Sequence, residues 1–433
     1  AAMEARDVAP HAPYEYVGDL KIGNELDAFV ADALAKHGLQ AAPLCSDEVF
    51  LRRVYLDTIG TLPEASEVRA FLLDPAEDRR AKTIDELLER EEFATYWTMK
   101  WCDLLRVKAE FPINLWPNAV QAYYGWIHED LRNNMPYDEF AKELLTSSGS
   151  NFREAPVNFY RAIQGRDPVA IAQAVALTFM GMRTVNWPQD RLDGMTPFFS
   201  RIQFKKTGEW KEDILYLGPA PDGPVEGVFP DGVRVTLPPD KDPRMLFAAW
   251  LTAPENPYFA RALANRAWSW FFGRGIVQEP DDFRDDNPPA IPELLDGLAK
   301  EFVHSGYDMR ALFRLILNSR TYQQSSIPRA PLPDAETYFA CYPARPLDAE
   351  VLADALCKLT GSFEEYSSLI PEPYSFIPKQ ERSIALEDGS ITSPFLELFG
   401  RPSRDTGLES ERLRQPSKEQ RLHLLNSTHT QLK

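Results

Sequence analysis

Charged and amide side chains recur inside apolar helical runs, and these are the residues best placed to do chemistry. The run Asn256 to Phe283 reads NPYFARALANRAWSWFFGRGIVQEPDDF. Tyr258, Phe259, Leu263, Trp270 and Phe271 are too large to leave in water, so this helix is expected to be buried on more than one side. Yet it carries Asn265 and Arg266, with Arg274 just past its end. A buried guanidinium needs a carboxylate or carbonyl partner. The same mixture recurs at Arg53 and Asp57, at Asp103 and Arg106, at Arg345 with Asp348 and Glu350, and at Arg404 with Glu411 and Arg412. Arg53 with Asp57, and Asp103 with Arg106, share a helix face by their spacing. Two readings are open. Either these groups are buried ion pairs that stitch helices and loops together, or arginines line a pocket for an anionic or hydroxylated ligand.

Other site chemistries are thinner. The turn PDDFRDDN gathers Asp281, Asp282, Asp285 and Asp286. Oxygen ligands at this density suit calcium, but the loop lacks the EF-hand glycine and terminal glutamate, and a solvated acidic turn is the simpler reading. His11, His37, His128, His304, His423 and His429 never fall at HxH, HxxxH or HExxH spacing, so no zinc site is expected. His423 reads as a core histidine. GxSxG, P-loop and GxGxxG motifs do not occur. Trp97, Trp101, Trp116, Tyr123, Tyr124 and Trp126 read as core, with one exception: the loop FPINLWPN leaves Trp116 free to stack on a sugar ring. Tryptophan beside carboxylates suits a glycan site.

Helices must position these residues. The apolar period predicts them from about Asn24 to Gly38, over 47–59, after GTLPEASEV, and over about 78–89, 91–106, 118–133, 136–146 and 168–182. From about 203 to 240 glycine and proline crowd in, and the runs 214–217 and 233–237 favour strands, so the stretch reads as a small β-hairpin insert or an interdomain linker. Helices return over 243–251, in the opening run, and over 292–305, 308–320 and 347–360. Residues 361–395 show no period and read as a long loop, before a last helix over 416–425. The expected fold is mainly α-helical: an N-terminal arm (1–20), a helical part (21–202), the β insert (203–242) and a second helical part (243–433). The two parts are expected to pack closely on a polar seam. There Asp57, Asp103, Asp348 and Glu350 are the acids on offer to Arg266 and Arg274.

A chain of 433 residues can bury a sizeable core, and its net charge of −18 argues against a nucleic-acid partner or an anionic membrane surface. No apolar run reaches the ~20 residues that span a bilayer. Cys45, Cys102, Cys341 and Cys357 form no CxxC, and Cys102 and Cys357 read as core thiols.

Several longer strings are specific. LRRVYLDTIGTLPEASEVRAFL, YWTMKWCDLLRV, GWIHEDLRNNMPYDEF and FMGMR…FFSRI resemble the planctomycete-type cytochrome-associated domain of unknown function, family 1549. The opening run, PELLDGLAKEFVHSGYDMRALFRLILNSRTYQQSS, RPLDAEVLADAL and FGRPSRDTGLESERLRQPSKEQRLHLLNS resemble its partner domain, family 1553. The resemblance implies a mostly helical, secreted or periplasmic protein whose signal peptide has been removed. It implies no assigned reaction. Many relatives carry a CxxCH-type haem segment between FMGMR and FFSRI; here Thr184 to Pro197 reads TVNWPQDRLDGMTP, so no covalent haem is expected. Relatives also have a CxC where this chain reads Gly407 to Arg412. Their domain continues past HLLN, so a further segment is expected after Lys433. The expected function is an extracytoplasmic accessory module of a surface-polysaccharide or haem-linked system, binding a surface glycan or another extracytoplasmic protein. The alternative is a carbohydrate-active enzyme using paired carboxylates.

Overall fold

Capping signals in the sequence set most helix boundaries. In the computed structural model, which describes residues 22–329 and 334–433, the first half contains α1 (Glu25–Lys36), α2 (Asp47–Ile59), α3 (Ala65–Leu73), α4 (Arg79–Leu88), α5 (Glu91–Leu104), α6 (Pro117–Arg132) and α7 (Tyr137–Thr146). Short α8 (Asn158–Arg161), α9 (Pro168–Met180) and short α10 (Gln189–Met195) complete it. The second half contains α11 (Pro243–Leu251), α12 (Phe259–Phe272), α13 (Pro292–His304), α14 (Met309–Leu317), α15 (Ala349–Thr360), α16 (Pro394–Leu398), α17 (Lys418–Asn426) and α18 (Thr428–Leu432). The arm expected over 1–20, with His11, lies outside the described residues.

Asn24 caps α1 by accepting from the Asp27 N–H, and Asp27 answers by accepting from the Asn24 N–H, so two otherwise orphaned donors are satisfied. Asn256 Oδ1 accepts from the N–H groups of Tyr258 and Phe259 and so starts α12. Gly273 ends α12 at φ +70°, and a Cβ there would stand 2.7 Å from Arg345 Cδ. Glycine therefore serves both the left-handed cap and the approach of Arg345.

The β part is more divided than the single hairpin expected. β2 (Ile202–Lys206) pairs antiparallel with β3 (Asp213–Leu217), Phe204 opposite Leu215, and β1 (Gly149–Ser150) adds to the other edge of β3. β4 (Val225–Val228) and β5 (Arg234–Leu237) form a separate antiparallel ribbon. β1 has two residues and no alternation to read. The loop over 361–395 is pinned rather than loose. A bridge joins Ser367 to Thr392, and the Asp354 carboxylate accepts from the N–H groups of Ser383 and Ile384.

One hydrophobic core runs through both halves. Trp97 of α5 meets Trp270 and Phe271 of α12 at ring separations of 5.2 and 5.6 Å, and Phe313 of α14 at 4.4 Å. Such tilted pairs add about 0.5–1.5 kcal/mol each beyond the area they bury. A smaller cluster of Ala353, Leu386, Phe395, Leu396 and Phe399 sits between α15 and α16. Helix α17 buries no residue, so His423 is no core histidine; its ring lies against Phe395 and Phe399 at the edge of this small cluster. The four cysteines are free thiols, with Cys45, Cys102 and Cys341 buried and Cys357 half-buried at the end of α15.

Candidate functional site

The polar residues inside the apolar helices converge on a continuous buried network between the halves. Asp103 of α5 accepts from Arg404 Nε at 2.9 Å and from Arg412 Nη2 at 2.7 Å. Arg412 also donates to Glu350 at 2.6 Å, and Arg401 stands 3.3 Å from the same carboxylate. Asp348, at the start of α15, accepts from Lys100 Nζ at 2.6 Å and Tyr96 at 3.2 Å, with Arg412 and Arg414 within 3.8 Å. Arg414 donates to Glu409 at 2.6 Å. Glu409 accepts from Trp270 Nε1, and its own N–H donates to Asp281. Asp281 accepts from Arg266 Nε and Nη2 at 2.9 and 2.7 Å, and Arg266 donates onward to the carbonyls of Leu177 and Thr178 at the end of α9. Beside this run, Asp57 accepts from Arg345 at 2.6 Å and from the hydroxyls of Tyr322 and Tyr342 at 2.9 Å each.

Asn265 bonds the loop after α12 instead, donating to the Val277 carbonyl and accepting from its N–H. Arg106 and Glu411 stand beside the network. Arg106 takes φ +57° and donates to the Thr406 carbonyl, with no acid partner among the described residues; burial pushes its guanidinium down to about 10. Glu411 organises its own loop by accepting from Ser403 and Thr406. Arg274 makes no ion pair among the described residues. The four aspartates proposed for calcium do not converge. Asp281 is buried and committed to Arg266, whereas Asp282 and Asp286 pair with Arg284. No group of three or more His, Cys, Asp or Glu able to hold a metal forms among the described residues.

The sequence reading missed Lys100, Arg401, Glu409 and Arg414. Lys100 gave the same signal as Arg266, a charge inside the aromatic run YWTMKWC. The network has more cations than acids around Asp348. Burial alone would raise that carboxyl, but Lys100, Arg412, Arg414 and Arg345 hold it well below the usual carboxylate range. Burial pushes Lys100 down to about 8, helped by the repulsion of Arg412 and Arg414. Its folded value lies below the unfolded 10.5, so the unfolded chain binds more protons across the window from about 8 to 10.5. Stability is therefore expected to rise with pH across that window. Urea titrations at pH 7.5 and 9.5 on wild type and Lys100→Met check this; an unchanged slope in the variant excludes Lys100 as its source.

The network uses its carboxylates internally, so the open chemistry lies on the surface beside it. The loop from Leu105 to Trp116 is pinned to residues 388–390: Gly389 N–H donates to Val107 O, Ala109 N–H to Asp388, and Glu110 N–H to Ser390 Oγ. Trp116 is half-buried, not free. Its ring meets Tyr374 at 5.5 Å and the edge of Trp210, from the β2–β3 connection, at 6.4 Å. Trp210 and Tyr374 present the open faces, at 70% and 58% exposure. A depression of about 490 Å³ lined by Lys108, Glu110, Ser368, Thr392 and Glu397 adjoins this loop on one side. A second, of about 520 Å³, holds Asn114 and the 206–213 connection. Arg106, Asn114, Trp116, Lys211 and Arg404 all take positive φ around this region. Backbone held in that conformation by residues other than glycine gathers where surrounding structure over-determines it, functional sites included.

Fold and face together define a mainly helical protein of two parts locked by a buried charged seam, with an aromatic surface beside it. The chain carries PSCyt2, a protein of unknown function (DUF1549), over residues 25–193, followed by PSD1, a protein of unknown function (DUF1553), over residues 243–432, and belongs to the proteins that join these two families. No curated protein and no solved structure matches it. No helix among the described residues is long and apolar enough to cross a membrane.

Proposed function

We propose that the chain is an extracytoplasmic, non-enzymatic binding module whose Trp116–Trp210–Tyr374 face takes a surface glycan. The exposed indole and phenol of that face carry the reading. Aromatic faces stack on the C–H face of a pyranose, and a polar tip or neighbouring hydroxyl, carboxylate and amine groups bond its oxygens. Here Ser368, Thr392, Lys108 and Glu110 supply such groups in the depression that adjoins the same loop. The acids of the seam, Asp57, Asp103, Asp281, Asp348 and Glu350, support a binding role too, since each is paired with a cation and shielded from a substrate. Thr184 to Pro197 offers no cysteine or histidine, so the module is read without covalent haem, even within a haem-linked system.

Affinity electrophoresis in gels cast with plant and algal polysaccharides tests the reading. Wild type is expected to be retarded by at least one polymer. Trp210→Ala and Tyr374→Ala are each expected to lose about tenfold or more in affinity, with melting unchanged, as stacked aromatics contribute about 1–3 kcal/mol. Retardation by no polymer, or retardation of both variants equal to that of wild type, rejects it. One observation favours the hydrolytic alternative: Glu110 and Glu397 line the same depression. Release of reducing ends by wild type, lost in Glu397→Gln, would replace the module by an enzyme using paired carboxylates.

A further inference from the structure

The second depression differs from the rest of this acidic molecule in its cations. Arg161, Arg166, Lys206 and Lys211 all line it. Asp213 serves two guanidinium groups at once, with Arg161 Nε at 2.7 Å and Arg166 Nη1 at 3.3 Å from the same oxygen. One carboxylate cannot neutralise two arginines, so a positive charge is left over. Glu212 lines the depression as well, so four cations face three carboxylates, but it pairs with none of the four. Its carboxylate accepts from Ser150 and Thr207 hydroxyls at 2.5 and 2.6 Å. Glu209, on the exposed tip, is the remaining acid.

The two arginines divide the work. Arg161 is buried and tied to the Asn114 carbonyl at 3.2 Å, which fixes the position of Asp213. Arg166 lies with its guanidinium 4.9 Å from the Phe204 ring centre, and its side chain keeps 38% exposure. A guanidinium stacked on a ring keeps its N–H fork in plane and ready for two acceptor oxygens of one anion. Lys206 makes no ion pair among the described residues, and Trp210 stands exposed on the same connection.

Resting on the glycan reading, we infer that the ligand is an anionic glycan, one whose pyranose stacks on Trp210 while its carboxylate or sulfate sits against Arg166 and Lys206. Both substituents offer the same thing: a compact anion with two or three acceptor oxygens, projecting from the ring edge. With a net charge of −18 the chain repels polyanions at long range, so their retention must come from a local site and not from diffuse adsorption.

Affinity electrophoresis at 0.15 M salt with matched polymers tests this: dextran against dextran sulfate, and methyl-esterified polygalacturonate against polygalacturonate. The charged member of at least one pair is expected to bind about tenfold tighter, the scale of one charge-assisted fork. Arg166→Gln is expected to remove that preference, and Lys206→Gln, at an exposed position, to reduce it severalfold with melting unchanged. Glu209→Gln is expected to strengthen it. Equal binding of charged and neutral members overturns the anionic assignment and leaves the glycan module standing. Preference that survives both Arg166→Gln and Lys206→Gln overturns the location. Binding of no polymer, here or in the wider panel, sinks both readings.

Discussion

Arg412→Ala is expected to destabilise the whole chain by about 3–5 kcal/mol, because it leaves buried carboxylates short of a partner. Arg412 is the junction of the seam. It donates to Glu350 at 2.6 Å and to Asp103 at 2.7 Å, and neither acid has solvent to turn to. Arg404 and Arg401 remain beside those acids, which keeps the loss within that range. At about 2.1 cal/mol/K per residue, 433 residues give an unfolding entropy near 0.9 kcal/mol/K, so Tm is expected to fall by roughly 3–5 °C. Denaturant midpoints read the effect more directly than heating. A change below about 1 kcal/mol would mean that Arg412 is solvated in solution, since exposed pairs contribute no more than that. Removing the acids together with the arginine, as Asp103→Asn, Glu350→Gln and Arg412→Met combined, is expected to lose more than Arg412→Ala, because Arg404 and Arg401 are then buried without the carboxylates they share. A triple variant as stable as Arg412→Ala or more so would place the stabilisation elsewhere than in charge pairing.

Arg266→Ala is expected to be as damaging, and by a different route. Arg266 is fully buried in α12, and burial, which would depress its guanidinium, is outweighed by Asp281. Truncation strands Asp281 and takes the donors from two carbonyls at the end of α9, so three buried acceptors lose partners at once. About 3–5 kcal/mol is expected for the unpaired charge. Because α9 lies in the first half and α12 in the second, unfolding is expected to stay a single calorimetric transition in both wild type and variant. Two resolved transitions in the wild type would show that the halves melt separately and that the seam does not couple them. Asp281→Asn separates the contributions. It keeps an acceptor for Arg266 and for the Glu409 N–H, and is expected to lose less than Arg266→Ala.

The helical architecture was legible because each long helix carries its own period and caps. Asn24, Asp308 and Gly273 mark ends through backbone chemistry confined to a few neighbouring residues. The polar residues inside those helices were legible as a class, since a charge among tryptophans must find a partner. Their pairing was not. The acid that Arg266 uses lies fifteen positions on, in the acidic turn first read as solvated, and no local pattern says that Asp281 folds back. Asp348 goes to Lys100, across 248 positions, for the same reason. The third strand of the larger sheet was not legible because the two residues of β1 are strand only by virtue of pairing with β3. The surface site was half visible. Trp116 marked the loop, but exposure depends on what packs beside a ring, and it is Trp210 and Tyr374 that stay open.

The seam has a consequence for inheritance. Asp103 and Lys100 lie in the span matched by one family, and Arg404, Arg412 and Asp348 lie in the span matched by the other. Each span thus holds charges whose neutralisation is encoded in the other. A lineage that lost one of the two would be left with a helix bearing bare ions in its interior, and a substitution tolerated on one side would be tolerated only against a matching background on the other. Two stretches of sequence that look like separable units are, at the level of charge, a single heritable one.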